Sequence, residues 1–185
     1  MMQSQDEMSL SGRIAYLACM TGLACVAGYL EMLLPLHLIG IPGVKLGIAN
    51  VVTLTVLYTS GRGSAFFVMI SRVLLVGFMF GSLYSIVYGL AGGLLSLLVM
   101  ICLKHAGLFT ITGVSAAGGT FHNIGQLIAA QVMLSGFNPV FYFPLLTVSG
   151  MLCGILTGVL AAMILQRTGS FFEMPKGNND NKERV

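Results

Sequence analysis

The sequence predicts an all-α integral membrane protein, a bundle of six transmembrane helices with both termini in the cytoplasm. Three observations lead there. The hydrophobic fraction is 56% and only 8% of the 185 residues are charged, against roughly 25% charged in an ordinary soluble domain. Mean hydropathy is +0.92. Between Ile14 and Gln166 the charged residues are Glu31, Lys45, Arg62, Arg72 and Lys104, joined by the titratable His37, His105 and His122. The apolar runs between these residues lack the alternation of a barrel strand, and a bilayer core demands helices or a closed barrel. A helix needs about 20 mostly apolar residues to span it.

The first helix is read from Arg13 to Leu34, where Pro35 stops it. The stretch LHLIGIPGV that follows is a loop punctuated by Gly and Pro. A second, shorter helix runs from Lys45 to Thr59 and ends at SGRG. The third covers Ser64 to Phe80, with a break at Gly81-Ser82, and the fourth covers Leu83 to Lys104. The fifth spans Val114 to Leu134, and Asn138-Pro139 marks the next turn. The sixth runs from Phe143 to Arg167. Three regions result: a cytoplasmic N-terminal segment (1–12), the membrane domain (13–167) and a polar tail (168–185) whose composition predicts disorder. Asp6 and Glu7, with no small-residue cleavage site after the first apolar run, argue against a signal peptide.

Orientation follows from the distribution of bases. With the N-terminus inside, Arg13, Arg62, Lys104, Arg167, Lys176, Lys182 and Arg184 are all cytoplasmic, and Lys45 alone lies outside. A net charge of +3 is too small to point to nucleic acid. Lys45 is either an interfacial lysine that snorkels to headgroups or a charged lip on an external pocket.

An ionisable side chain in hydrocarbon asks for a partner or a water-filled site. Arg72 falls near mid-membrane, as a structural ion pair or as an anchor for an anionic or carbonyl-bearing ligand. Glu31, near the outer end of the first helix, is placed to neutralise Arg72 or Lys45. The fifth helix carries GGTFHNIGQ, in which His122, Asn123 and Gln126 fall on one face at helical spacing. They can line a cavity or act as interhelical glue. Gly47, Asn50 and Thr53 recur at i, i+3 and i+6 on the second helix, and its N-terminus suits an anion. The candidate substrate-binding residues are therefore Lys45, Asn50, Arg72, His122, Asn123 and Gln126, around a pocket that opens outward. Small residues at Ala15/Cys19, Ala18/Gly22 and Ala24/Gly28 allow close helix packing, within the chain or against a partner subunit.

Other chemistries lack their residues. No Lys precedes Ser or Thr, so there is no Walker A loop. The four cysteines have no metal-ligand spacing and read as small core residues. No acidic cluster of the kind that holds magnesium on a diphosphate is present. The reading is a non-enzyme without metal or cofactor.

The segments PGVKLGIANVVTL, YSIVYGLAGGLLSLLVM and GVSAAGGTFHNIGQL, with Arg72 between the first two, resemble the Gx transporter family. The resemblance covers roughly residues 13–166. Its motif positions are Pro42, Gly43, Lys45, Leu46, Gly47, Asn50, Arg72, His122, Asn123, Gly125 and Gln126. That family is similar to the substrate-binding subunits, or S components, of energy-coupling factor transporters, and carries an older label, heptaprenyl diphosphate synthase component I. The resemblance implies an S-component-like bundle capturing a small solute from outside. It further implies a transmembrane coupling subunit and two cytoplasmic ATPases as partners, with the first helix lending small residues to the docking face. The older label implies the alternative, a non-catalytic accessory subunit of polyprenyl diphosphate or quinone metabolism.

Overall fold

The computed structural model describes residues 9–33, 47–133 and 142–172. These form six helices: α1 (Leu10–Leu33), α2 (Ile48–Thr59), α3 (Arg62–Phe80), α4 (Leu83–Ala106), α5 (Ile111–Met133) and α6 (Phe143–Phe172). No strand occurs among the described residues. All six expected helices are found, with ends shifted by a few residues. The largest difference is at the end of α6, which continues five residues past Arg167 to Phe172. The loop after α1, the Asn138-Pro139 turn and the tail from residue 173 lie outside the described residues.

Local chemistry sets the breaks. Between α3 and α4, Ser82 and Ser85 form a reciprocal cap: the Ser85 N–H donates to Ser82 Oγ at 3.3 Å, and the Ser82 N–H to Ser85 Oγ at 2.8 Å. Gly107 ends α4 at φ 70°, a left-handed conformation that suits glycine.

The outside of the bundle is apolar. Val132 is 82% exposed, Phe78 71% and Leu152 61%, and with so few charges nearby such a surface belongs in lipid. α1, α3, α4 and residues Phe143–Thr168 of α6 each have the length and hydropathy to cross a membrane. The chain is a membrane protein. α5 is also long enough at 23 residues, but Ser115, Asn123 and Gln126 dilute its hydropathy. Those three side chains are buried, while Phe121, Ile128 and Val132 stay on the surface. α2 is different: its 12 residues make a rod of about 18 Å, too short to span.

α2 is the buried core of the fold. It packs against α1, α3 and α6, and Ala49 and every residue from Val51 to Leu57 are buried. Its last turn is tied from two sides. Lys104 on α4 donates its ammonium to the Leu57 carbonyl at 2.6 Å and lies over the Tyr58 ring at 4.7 Å. Tyr16 on α1 meets Thr59 Oγ1 at 3.0 Å. A cation at the C-terminal end of a helix opposes the negative pole of its dipole.

The other half of the bundle is zipped by glycine. α6 carries Gly150, Gly154 and Gly158 at four-residue spacing, and they face Ser115, Gly119 and Asn123 on α5. A Cβ at Gly150 would lie 2.6 Å from the Gly119 carbonyl oxygen, and one at Gly158 would lie 2.8 Å from Thr112 Cα. The seam is thus backbone against backbone, the close approach that small residues permit in membranes. α4 and α5 meet in the same way, with Gly125 against the Ala91 carbonyl and Gly92 against the His122 carbonyl. Gly22 on α1 is the contrast, since nothing lies within 4 Å of a Cβ built there.

Gly119→Leu must therefore push two helix backbones apart, at a cost of about 3 kcal/mol or more. Gly22→Leu should leave the isolated chain's melting temperature in detergent unchanged within about a degree. Equal melting for both variants would contradict the glycine seam.

Candidate functional site

The five described sequence candidates lie on three helices, α2, α3 and α5. Lys45 lies outside the described residues, as do Pro42, Gly43 and Leu46. Asn50 stands half-buried in the first turn of α2, near Gly47. Arg72 sits ten residues after Arg62, near the middle of α3. His122, Asn123 and Gln126 share α5 but divide between two neighbours.

Asn123 faces α6. Its Nδ2 donates to the Leu146 carbonyl at 2.6 Å and reaches Ser149 Oγ at 3.5 Å. Its amide N–H groups are therefore used to tie helices together. Ser115 and Thr157 repeat the link lower on the same seam, with their hydroxyls 3.0 Å apart. His122 and Gln126, four residues apart, face α4 instead and bracket Gly92. The Gln126 Cγ lies 2.8 Å, and the His122 Cε1 3.0 Å, from where a Gly92 Cβ would be.

Gln126 is fully buried, yet neither its carboxamide oxygen nor its nitrogen has a hydrogen-bond partner. The hydroxyls of Thr21, Thr53 and Ser96 are likewise buried without partners, as is the Ser64 hydroxyl. The Arg72 Nε is sealed from solvent and has no acceptor. Each such group costs about 1–3 kcal/mol, and more when charged. Native interiors satisfy nearly all of their buried polar atoms. Ser96 lies one turn from Gly92 on α4, and its hydroxyl is 3.3 Å from a Cβ at Gly118. The α4–α5 seam therefore holds two unsatisfied polar side chains in successive turns.

A second polar group surrounds the start of α2. Gly47 caps that helix at φ 75° and has no side chain to offer its free N–H groups. Glu31 supplies the acceptor from α1, with the Gly47 N–H donating to its Oε1 at 2.6 Å. The carboxylate is buried. Its charge acts on Arg72 and reaches Cys153 on α6. Its direct hydrogen bond goes to a backbone group, and Lys45, the other partner expected for it, lies outside the described residues.

Among the described residues no group of His, Cys, Asp or Glu could hold a metal, and all four cysteines are free thiols. Against known families, the model described as heptaprenyl diphosphate synthase component I matches residues 20–164. The chain belongs to that family. No curated protein and no solved structure matches it. The heptaprenyl diphosphate synthase component I match takes in Glu31, Gly47, Asn50, Arg72, Ser96, His122, Asn123 and Gln126 and leaves out the first turns of α1 and the tail.

Sequence reasoning missed Ser96, the Glu31–Gly47 bond and the Lys104 cap. A lone serine in an apolar run carries no signal. The two charged links join residues 16 and 47 positions apart, and no local pattern reports such pairings. The glycine spacing in α6 was available as a signal, since Gly150, Gly154 and Gly158 repeat every four residues.

The different surroundings of Gln126 and Asn123 give opposite expectations. Gln126→Met removes an unsatisfied amide at similar volume and should hold or raise the melting temperature of the ligand-free protein. Asn123→Leu breaks the link to Leu146 and should cost about 1–3 kcal/mol. A large loss from Gln126→Met would show that the amide is structural.

Proposed function

We propose that the protein is the substrate-binding membrane subunit, or S component, of an energy-coupling factor importer. It captures a small solute, anionic or carbonyl-bearing, from the outer face. The observation that carries this reading is the set of buried polar atoms without partners, Gln126 and the Arg72 Nε foremost. A ligand entering such a site supplies the missing hydrogen bonds. Arg72 would take the negative or carbonyl group, and Gln126, His122 and Ser96 the polar edge, with Asn50 and Lys45 toward the outer mouth. Asn123 would contribute through its remaining carbonyl oxygen while its amide holds α6.

The positive-inside distribution supports six spans with both termini in the cytoplasm. In that arrangement α2 crosses only as part of the buried bundle. The protein itself is not an enzyme on this reading; two separate ATPases supply the energy through a transmembrane coupling subunit. The outer face of α1 supports a docking role. Ala15, Ala18, Cys19 and Gly22 are all exposed, so they do not serve packing within the chain. On this reading the coupling subunit packs against that stripe.

The family's name favours a second reading, a non-catalytic membrane accessory of polyprenyl diphosphate or quinone metabolism. Affinity purification from native membranes separates the two. Co-purifying ATPases, reduced several-fold by Gly22→Leu while the chain stays folded, support the importer. A soluble prenyl synthase in their place would overturn it.

A further inference from the structure

The turn from α2 into α3 reads Thr59-Ser60-Gly61-Arg62-Gly63-Ser64, and the proposed transport role leaves it unused. Among the described residues no side chain caps α3: Gly61 stands at the cap position, and the first turn holds no acid. The first backbone bond of the helix runs from the Ala65 N–H to the Gly61 carbonyl at 3.1 Å. The N–H groups of Arg62, Gly63 and Ser64 therefore have no acceptor within the helix. The start of α4 is the contrast, since Ser82 and Ser85 cap it reciprocally.

Ser64 is a second, independent sign of a missing partner. It is 3% exposed, and its hydroxyl is buried without a hydrogen bond. Thr55, Thr59 and Thr120 each meet the same need by donating to the carbonyl four residues back. Ser64 stands in the first turn, where position i−4 lies before the helix begins. Helix side chains lean toward the N-terminus, so this hydroxyl leans toward the free N–H groups. The space over the turn is open, with nothing within 4 Å of a Cβ built at Gly61 or at Gly63. Its surroundings are basic. Arg62 is exposed and is the first residue of the helix. Arg13 stands one turn from Tyr16, whose hydroxyl meets Thr59 Oγ1 at 3.0 Å. Lys104 reaches the Leu57 carbonyl at 2.6 Å. Glu31, the one acid among the described residues, is at the far end of α1.

We propose that this turn is a phosphate-binding site at the basic end of the bundle. Oxygens of one phosphate group would accept the free N–H groups of Gly63 and Ser64, and the Ser64 hydroxyl would donate to a third oxygen. Arg62 supplies balancing charge, and the positive pole of α3 adds to it. Donors of three kinds at one open helix start suit a tetrahedral group with several free oxygens better than a planar carboxylate with two. Glycine at 61 and 63 keeps the approach to the backbone clear. An anionic phospholipid headgroup and free phosphate share this chemistry, and the experiment separates them. The site lies at the opposite end of α1 from Glu31 and Gly47, so it does not depend on the importer reading.

The test follows the melting temperature of the purified full-length chain in an uncharged detergent. If the occupant is soluble, inorganic phosphate should raise it by at least about 2 °C over chloride at matched ionic strength. If the occupant is a lipid headgroup, phosphatidylglycerol in the micelles should raise it by as much over diacylglycerol with the same acyl chains. Arg62→Gln and Ser64→Ala should lose at least about half of the gain. Without either probe Ser64→Ala should melt no lower than wild type, because it removes an unsatisfied hydroxyl. Gly63→Leu fills the open space over the turn and should abolish the gain. No gain from either probe, or a gain unchanged in all three variants, would overturn the proposal.

Discussion

The fold is organised around one buried twelve-residue helix held at both ends by charged side chains from its neighbours. α2 is too short to cross a bilayer on its own, and its middle is buried while both its ends are half-buried. At each end a charged side chain from another helix meets one of its free backbone groups. Glu31 meets the N-terminal end from α1, and Lys104 meets the C-terminal end from α4. The anion stands at the positive pole and the cation at the negative pole, the favourable arrangement for a helix dipole. Two of the few charges in the membrane domain are spent on this one element. α1, α3 and α6 then pack around a core whose direction and depth are fixed.

The second half of the bundle solves a different problem. Lipid tails give helices no hydrophobic reason to associate, so contact must come from close packing and interhelical hydrogen bonds. Gly119, Gly150, Gly154 and Gly158 bring α5 and α6 together backbone to backbone, and Asn123 and Ser115 add polar links across the seam. The α4–α5 seam is as closely packed, but there Gln126 and Ser96 are buried without partners. One face of α5 is thus satisfied and the neighbouring face is not. The proposed binding role rests on this difference more than on any single residue.

Much of the architecture was legible in the sequence because composition and breakers are local signals. Pro35, SGRG, Gly81-Ser82 and the apolar runs marked the helices to within a few residues. Arg72, Gln126 and Asn50 stood out because polar side chains in apolar runs are conspicuous. Which neighbouring helix each polar side chain faces was not legible. His122, Asn123 and Gln126 read as one face by spacing, yet a rotation of 100° per residue lets Asn123 reach α6 while the other two reach α4. Lys104 read as a topology marker because its acceptor, the Leu57 carbonyl, is a backbone atom 47 residues away. Pairings of that kind are set by tertiary packing, and a single sequence does not contain them.

The central claim is that the unsatisfied polar interior exists to hold a small molecule. Native mass spectrometry of the gently purified protein tests it most directly. The account predicts a discrete adduct on the wild-type chain that is lost in folded Arg72→Ala. A wild-type chain that carries no adduct even when isolated from membranes exposed to the organism's full growth medium would contradict it, as would an adduct retained unchanged in Arg72→Ala.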